Sequence, residues 1–353
     1  MAMTSPRGAA VLALASAALF GMSTPLAKLL TGAIPPLMLA GLLYAGSGAG
    51  LSVVLIGRRL VNPAAQISLP QRGEWRWLAV AVFFGGVLGP VSLMFGLTTS
   101  AASTASLLLN LEAVFTALLA WFLFKENFDR RIALGMFAIV AGGVILVWSP
   151  GHRDRGSLGL AFVALACLCW AIDNNLTRKV AAADAVVIAG IKGVVAGAVN
   201  LMLALLLGET VSVPRDVYLA LAVGFLGYGV SLVLFVVGLR NLGTARASAY
   251  FAVAPFFGAA LALVLQDDSV SPRLIASASL MAAGVCLHLT ENHRHRHSHQ
   301  EQNHAHMHVH DVHHQHSHDF AWDGKEPHSH PHVHAPLTHS HAHFPDIHHR
   351  HSH

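Results

Sequence analysis

Charge is scarce in this chain. Only 11% of its 353 residues are Asp, Glu, Lys or Arg, where a soluble domain usually carries about 25%. Hydrophobic residues make up 54%, and the mean hydropathy is +0.55. A chain this long cannot hide so much apolar surface in one water-soluble core, so lipid is its solvent. Cysteine is scarcer still. Cys167, Cys169 and Cys286 all lie in apolar stretches, and the first two, two residues apart, point to different sides of a helix and cannot share a metal. They read as small packing residues, with no disulfide framework. No nucleophile–base set and no phosphate-cradling loop is present, so the chain is not read as an enzyme and no cofactor is required. Histidine is almost missing from the first 290 residues, where only His152 and His288 occur; 23 of the 25 follow Glu291. The formal charge of +4 comes from basic residues scattered between apolar segments, which suits a membrane face and not nucleic acid.

What is present in abundance is apolar runs. A spanning helix needs about 20 mostly apolar residues, and such stretches recur at 8–30, 36–57, 76–97, 101–124 and 131–149. A polar break, His152-Arg-Asp-Arg-Gly156, precedes five more at 158–180, 185–207, 216–239, 244–265 and 272–290. Arg7 followed by an apolar run resembles a secretory signal, but the run contains Pro25 and Lys28 and has a counterpart later in the chain, so it is read as a retained first helix. With a cytoplasmic N-terminus, the inner segments hold Arg7, Arg58, Arg59, Arg72, Arg76, Lys125, Arg130, Arg131, Arg178, Lys179 and Arg240. The outer ones hold only Lys28, Arg153, Arg155, Arg215 and Arg273. That excess of inner basic residues predicts a multi-pass protein of the cell inner membrane with both termini cytoplasmic.

The two halves repeat. Phe20–Lys28 lines up with Trp170–Arg178 at an offset of 150, and Ala40-Gly41 with Ala189-Gly190 at 149. Gly96-Leu97, Ala105-Ser106 and Phe115 match Gly238-Leu239, Ala247-Ser248 and Phe257 at 142; Glu126 then falls on Asp268 and Gly142 on Gly284. Five helices per half is an odd number, so the second half enters the membrane from the opposite side. The expected fold is therefore an all-α membrane protein of about ten transmembrane helices in a 5+5 inverted repeat, with a site near the midplane between repeats. The expected division is 8–149 for the first repeat, 150–157 for a linker, 158–290 for the second repeat, and 291–353 for a disordered His-rich cytoplasmic tail.

The five-plus-five count, Phe20-Gly21 and its echo Cys169-Trp170-Ala171-Ile172-Asp173-Asn174-Asn175, and the fourth-helix pattern Ala105–Phe115 leading into Lys125-Glu126 resemble the drug/metabolite transporter superfamily, in particular members with two EamA-type domains. The second copy of that helix is Ala247–Phe257. The resemblance implies secondary transport of amino acids or other small metabolites, often outward and coupled to a gradient, with the lipid bilayer and a small-molecule substrate as partners. Two departures stand out. Ala113 occupies the place of a proline that the second copy keeps as Pro255, and the tail lies outside the family pattern.

Ionisable residues inside spans are costly, about 2.5–3.5 kcal/mol at a helix centre on insertion scales, and normally face protein or water. Asp173 lies in the sixth span with Trp170 and Thr177 on its face by i−3 and i+4 spacing. Asn174 adds polarity alongside it, Lys192 lies in the seventh span and Glu112 in the fourth. Asp173 and Lys192 are expected to pair beside the substrate, with Glu112 as a proton-coupling group; the alternative is an ion pair that only fixes packing. Pro25, Pro90 and Pro255 interrupt apolar runs; each removes a backbone hydrogen bond and can free a carbonyl toward a cavity, but kinks that only shape packing are the favoured reading. Gly190, Gly193 and Gly197 allow close helix approach. Trp75, Trp77, Trp121 and Trp148 read as interfacial anchors.

The tail carries alternating histidines: His293, His295, His297 and His299; His304, His306, His308 and His310; His328, His330, His332 and His334; His339, His341 and His343. Imidazole suits Ni, Co, Zn and Cu, and alternate residues of an extended chain lie on one side, so neighbours can share an ion. Low complexity and Pro327, Pro331, Pro336 and Pro345 argue against an independent fold. The expected function is a small-metabolite transporter working by alternating access, with a metal-binding tail; the alternatives are a Ni, Co or Zn transporter whose tail buffers the ion, and a membrane-anchored metal store or sensor without transport. A homodimer is compatible with any of them.

Overall fold

The computed structural model describes residues 6–62, 67–124, 130–147, 155–180, 183–211, 213–242, 250–266, 268–289, 294–299, 302–308, 328–334 and 337–342. The chain divides into a helical unit, Met1–Glu291, and a tail unit, Asn292–His353.

The helical unit opens with α1 (Pro6–Leu30) and α2 (Pro36–Val61), followed by α3 (Trp75–Ala81), a π-helical stretch Val82–Leu88, and α4 (Gly89–Thr99), which together make one span. Next come α5 (Ala102–Leu108), α6 (Leu111–Phe124) and α7 (Arg130–Val147). The second half supplies α8 (Arg155–Thr177), α9 (Ala185–Leu206), α10 (Pro214–Gly224), a second π-helical stretch Phe225–Val230, α11 (Ser231–Leu242), α12 (Ala254–Leu265) and α13 (Pro272–Leu289). Among the described residues, eight helices are long and apolar enough to cross a membrane, and two shorter apolar helices, Ala254–Leu265 and Pro272–Leu287, stand where the ninth and tenth spans are expected. The scarcity of charge explains the outside of the bundle: Val53, Phe122, Phe137, Leu165, Met202 and Val264 are exposed, an arrangement that only lipid tolerates at this density.

The irregularities repeat as the sequence does. The π stretch beginning at Val82 recurs at Phe225, and the turn at Leu109-Asn110 that separates α5 from α6 recurs at Ala252-Val253 before α12. Both pairs are within one residue of the 142-residue offset. The expected continuous fourth span is thus two half-helices, broken although Ala113 replaces the proline there. Pro255 does not kink a helix; it sits in the first turn of α12, where its missing N–H costs nothing.

Glycine sets the approach of the halves. A methyl on Gly48 of α2 would lie 2.4 Å from the Val194 amide nitrogen of α9, and one on Gly193 would lie 2.5 Å from the Gly48 nitrogen. The ends of this crossing are pinned by polar contacts. Arg58 pairs with Asp184 at 3.3 Å, Asp184 caps α9 by accepting from the Val186 amide at 2.9 Å, and Glu209 accepts from the Met38 amide at 2.9 Å. Pro25 inside α1 removes the N–H due to Gly21 O, and that carbonyl lies against Gly258 of α12, where a methyl would come within 2.6 Å. At the same end of α1, Lys28 Nζ donates to Leu97 O in the last turn of α4, and Gln266 Nε2 donates to Pro25 O at 2.8 Å.

In the tail the described residues form four strands, β1 (Arg294–His299), β2 (Gln302–His308), β3 (His328–His334) and β4 (Leu337–Ala342). β1 pairs antiparallel with β4, and β2 with β3. The period-two alternation of histidine suits strands of this kind. Isolated two-stranded ribbons are marginal in water, which agrees with how few apolar residues the strands hold, Ala305, Met307, Val333, Leu337 and Ala342 among them. His293, His310 and His343 lie outside the described residues.

Candidate functional site

Four spans converge on one carbonyl pair. In the π stretch the Gly89 amide reaches back to Phe84 O, so Gly85 O would next receive the N–H of residue 90. Pro90 has none. The orphaned acceptor is taken up from outside the helix: Tyr44 OH of α2 donates to Gly85 O at 2.7 Å and Trp170 Nε1 of α8 donates to it at 3.0 Å. Gly86 O accepts from Asn200 Nδ2 of α9 at 2.9 Å. Replacing Asn200 by Leu strands that buried carbonyl. The expected loss is about 0.6–1.7 kcal/mol, the span of hydrogen bonds measured within membrane bundles, read as a lowered thermal midpoint of the detergent-solubilised protein.

Gly85 also seats the acid. A methyl there would lie 2.0 Å from Asp173 Oδ2, so only glycine admits the carboxylate. The other oxygen, Oδ1, accepts from Lys192 Nζ of α9 at 2.5 Å and from Thr177 Oγ1 one turn along α8 at 2.8 Å. Lys192 Nζ completes the triangle with Thr177 Oγ1 at 2.9 Å. Both charged side chains are largely withdrawn from solvent, at 13% and 11% relative exposure. Charges held at that depth need each other, because desolvation costs several kcal/mol per ion when a partner is removed.

Beside this pair, Glu112 lies in the first turn of α6, where the half-helix N-terminus favours a carboxylate. Its Oε1 accepts from Asn174 Nδ2 at 2.7 Å. Asn174 is exposed, and a polar group exposed inside a span faces water, not lipid. Asn175 turns the other way: its Nδ2 donates to Ala171 O at 2.9 Å and to Thr116 O at 3.3 Å, tying α8 to α6. Aromatic rings close the other side. Phe20 lies 6.2 Å from Trp170, 5.9 Å from Tyr228 and 5.3 Å from Phe251 between ring centroids, and Tyr44 lies 5.4 Å from Tyr228.

All six residues expected at the site, Asp173, Lys192, Glu112, Trp170, Asn174 and Thr177, therefore fall in one neighbourhood. Tyr44, Gly85, Asn200 and Tyr228 were missed. Their signal was available in principle, since a tyrosine or asparagine in an apolar span must find a hydrogen-bond partner. The repeat makes the site one-sided. Ser23 occupies the place of Asp173 in the first half, and Gly227, the counterpart of Gly85, would bring a methyl 2.5 Å from Ser23 Cβ. The packing is duplicated; the charge is not. The other marked residues serve the frame. Cys167 and Cys169 are buried, Cys286 is exposed, and Trp75 and Trp121 are exposed as anchors require. Trp77 is covered by Arg76, whose guanidinium carbon is 4.9 Å from its ring; Trp148 lies outside the described residues.

A bundle of two inverted halves with broken helices and buried charge at their junction has the architecture of a secondary transporter. The model of the EamA-like transporter family matches residues 7–148 and again 157–290, and the chain belongs to that family. It is 26% identical over 281 residues to an uncharacterised transporter of Methanothermobacter thermautotrophicus, covering 75% of this chain and 81% of that one. It is 24% identical over 301 residues to a probable amino-acid metabolite efflux pump of Salmonella typhimurium, covering 79% and 93%. A solved crystal structure superposes on 80% of this chain and 98% of its own at a TM-score of 0.60 and 20% identity, a likeness of fold alone. The protein is a multi-pass membrane transporter.

Proposed function

We propose that the helical unit moves a small amino-bearing metabolite across the cell inner membrane by alternating access, with Glu112 carrying the coupling proton. The observation that carries this reading is the juxtaposition of the Asp173–Lys192 pair with Glu112–Asn174 where the fourth span breaks. An amino acid presents an ammonium, a carboxylate and a side chain. Glu112 suits the first, Lys192 and Asn174 the second, and the rings of Phe20, Trp170 and Tyr228 an apolar third. The efflux-pump relative supports an amino-acid-like cargo. The inner excess of Lys and Arg supports cytoplasmic termini. Metal ions as cargo find less support: among the described residues of the helical unit no group of three His, Cys, Asp or Glu could hold one. Metal binding is assigned to the tail, through imidazoles that take Ni, Co, Zn or Cu.

Glu112→Gln keeps an acceptor for Asn174 and removes the titratable group. In proteoliposomes, gradient-driven amino-acid flux is expected to fall at least tenfold in this variant, while exchange of labelled for unlabelled substrate persists at saturating substrate with a raised KM, because the Gln amide oxygen still accepts from an ammonium. Flux that still follows an imposed pH gradient would remove Glu112 from coupling, and no flux of any amino acid by the unaltered protein would remove the substrate assignment.

A further inference from the structure

Register in the tail ribbons is specific in a way that composition is not. In β1/β4, His295 stands opposite His341 and His297 opposite His339. In β2/β3, His304 stands opposite His332, His306 opposite His330 and His308 opposite His328. The pairs recur at every second residue, so within each ribbon they occupy positions on one face. A slip of one residue would set every one of these histidines against a neighbour of other type, such as Ser340 or Pro331.

Directly opposite residues of an antiparallel pair have Cβ atoms about 4.5–5.5 Å apart, and successive same-face residues along a strand about 6.7 Å apart. Imidazole nitrogens bind zinc at about 2.0–2.1 Å, so the nearer partner for chelation is the one across the ribbon. We propose that each ribbon is a transition-metal site built from cross-strand histidine pairs: a quartet, His295, His297, His339 and His341, on β1/β4, and a set of six, His304, His306, His308, His328, His330 and His332, on β2/β3. This rests on the reading of the tail as metal-binding and adds which histidines share an ion. The ion joins strands that are far apart in sequence. Its binding free energy offsets the closure of the segment between β2 and β3, which the ribbon's own backbone pairing supports only marginally. The β1/β4 pair encloses the β2/β3 pair in sequence, so loading the inner ribbon brings the outer strands together.

The test is a coupling measurement on full-length detergent-solubilised protein, with Ni2+ bound at equilibrium dialysis measured by elemental analysis. One variant carries His295→Asn with His297→Asn, a second His339→Asn with His341→Asn, and a third all four. A control carries His313→Asn with His314→Asn. With cross-strand sites, the first two variants lose the same tightly bound fraction, the third loses no more than either, and the control retains it. Losses that add between the first and second variants would show chelation within single strands and overturn the pairing, while leaving the tail a metal binder. Absence of saturable Ni2+ binding by the unaltered protein would overturn both.

Discussion

Substituting Asp173 by Asn abolishes transport, with flux in proteoliposomes reduced at least a hundredfold. Asparagine fits the space above Gly85 and can still accept from Thr177, so shape is kept and charge is lost. Lys192 is then a buried cation whose nearest counter-charge is gone. Breaking one side of a buried ion pair costs about 3–5 kcal/mol, so the single variant also lowers the yield of monodisperse protein. A second variant separates the two effects. Asp173→Asn combined with Lys192→Met removes both charges together, and neutral replacement of a buried pair is often tolerated. That double variant is expected to recover folded protein without recovering transport. Full transport by the double variant would reduce the pair to a packing device and leave Glu112 to carry the chemistry alone.

The other large effect concerns no polar group. Gly48→Ala is expected to destabilise the helical unit by about 1–3 kcal/mol, the usual cost of overpacking a filled interior, and to lower recovery from the membrane accordingly. The added methyl would meet the Val194 nitrogen at 2.4 Å and the Gly193 carbonyl carbon at 2.6 Å. Backbone atoms of a helix cannot step aside as the tip of a side chain can, so α2 and α9 must separate. Gly190→Ala is the matched control. Its nearest neighbours would be Leu55 Cδ1 at 3.7 Å and Leu51 Cβ at 3.9 Å, ordinary contacts. Thermal unfolding in detergent should therefore distinguish two glycines that the sequence treats alike. Equal tolerance at both positions would mean that the α2–α9 crossing is looser than its geometry.

Asp173 and Lys192 illustrate how far the linear chain could be read. Each is conspicuous because an ionisable group in an apolar run must find a partner, and the two lie on consecutive spans, so their pairing follows from very few choices. Glu112 was equally visible, but its partner Asn174 was chosen by a turn of α8 that also sends Asn175 toward Thr116. Gly85 gave no sign. Glycine is common in such spans, and only the position of a carboxylate from another helix distinguishes Gly85 from its neighbours. Pro90 announced a freed carbonyl without saying who would satisfy it; Tyr44 and Trp170 are supplied by α2 and α8.

By itself, the sequence determined the solvent, the number of spans, the twofold repetition and the acids and bases that lipid would not accept. Each of these follows from local cost: apolar length against bilayer thickness, and charge against hydrocarbon. Only the tertiary structure decided where the spans break, which glycines carry backbone contact, and that the charged half of the repeat faces Gly85 while its twin presents Ser23. Those outcomes depend on the approach of helices far apart in the chain, where tenths of an ångström between backbone atoms decide what fits and no local preference records them. The tail divides the same way. Alternation along the chain places histidines on one face, and pairing across the ribbon decides which of them stand opposite one another.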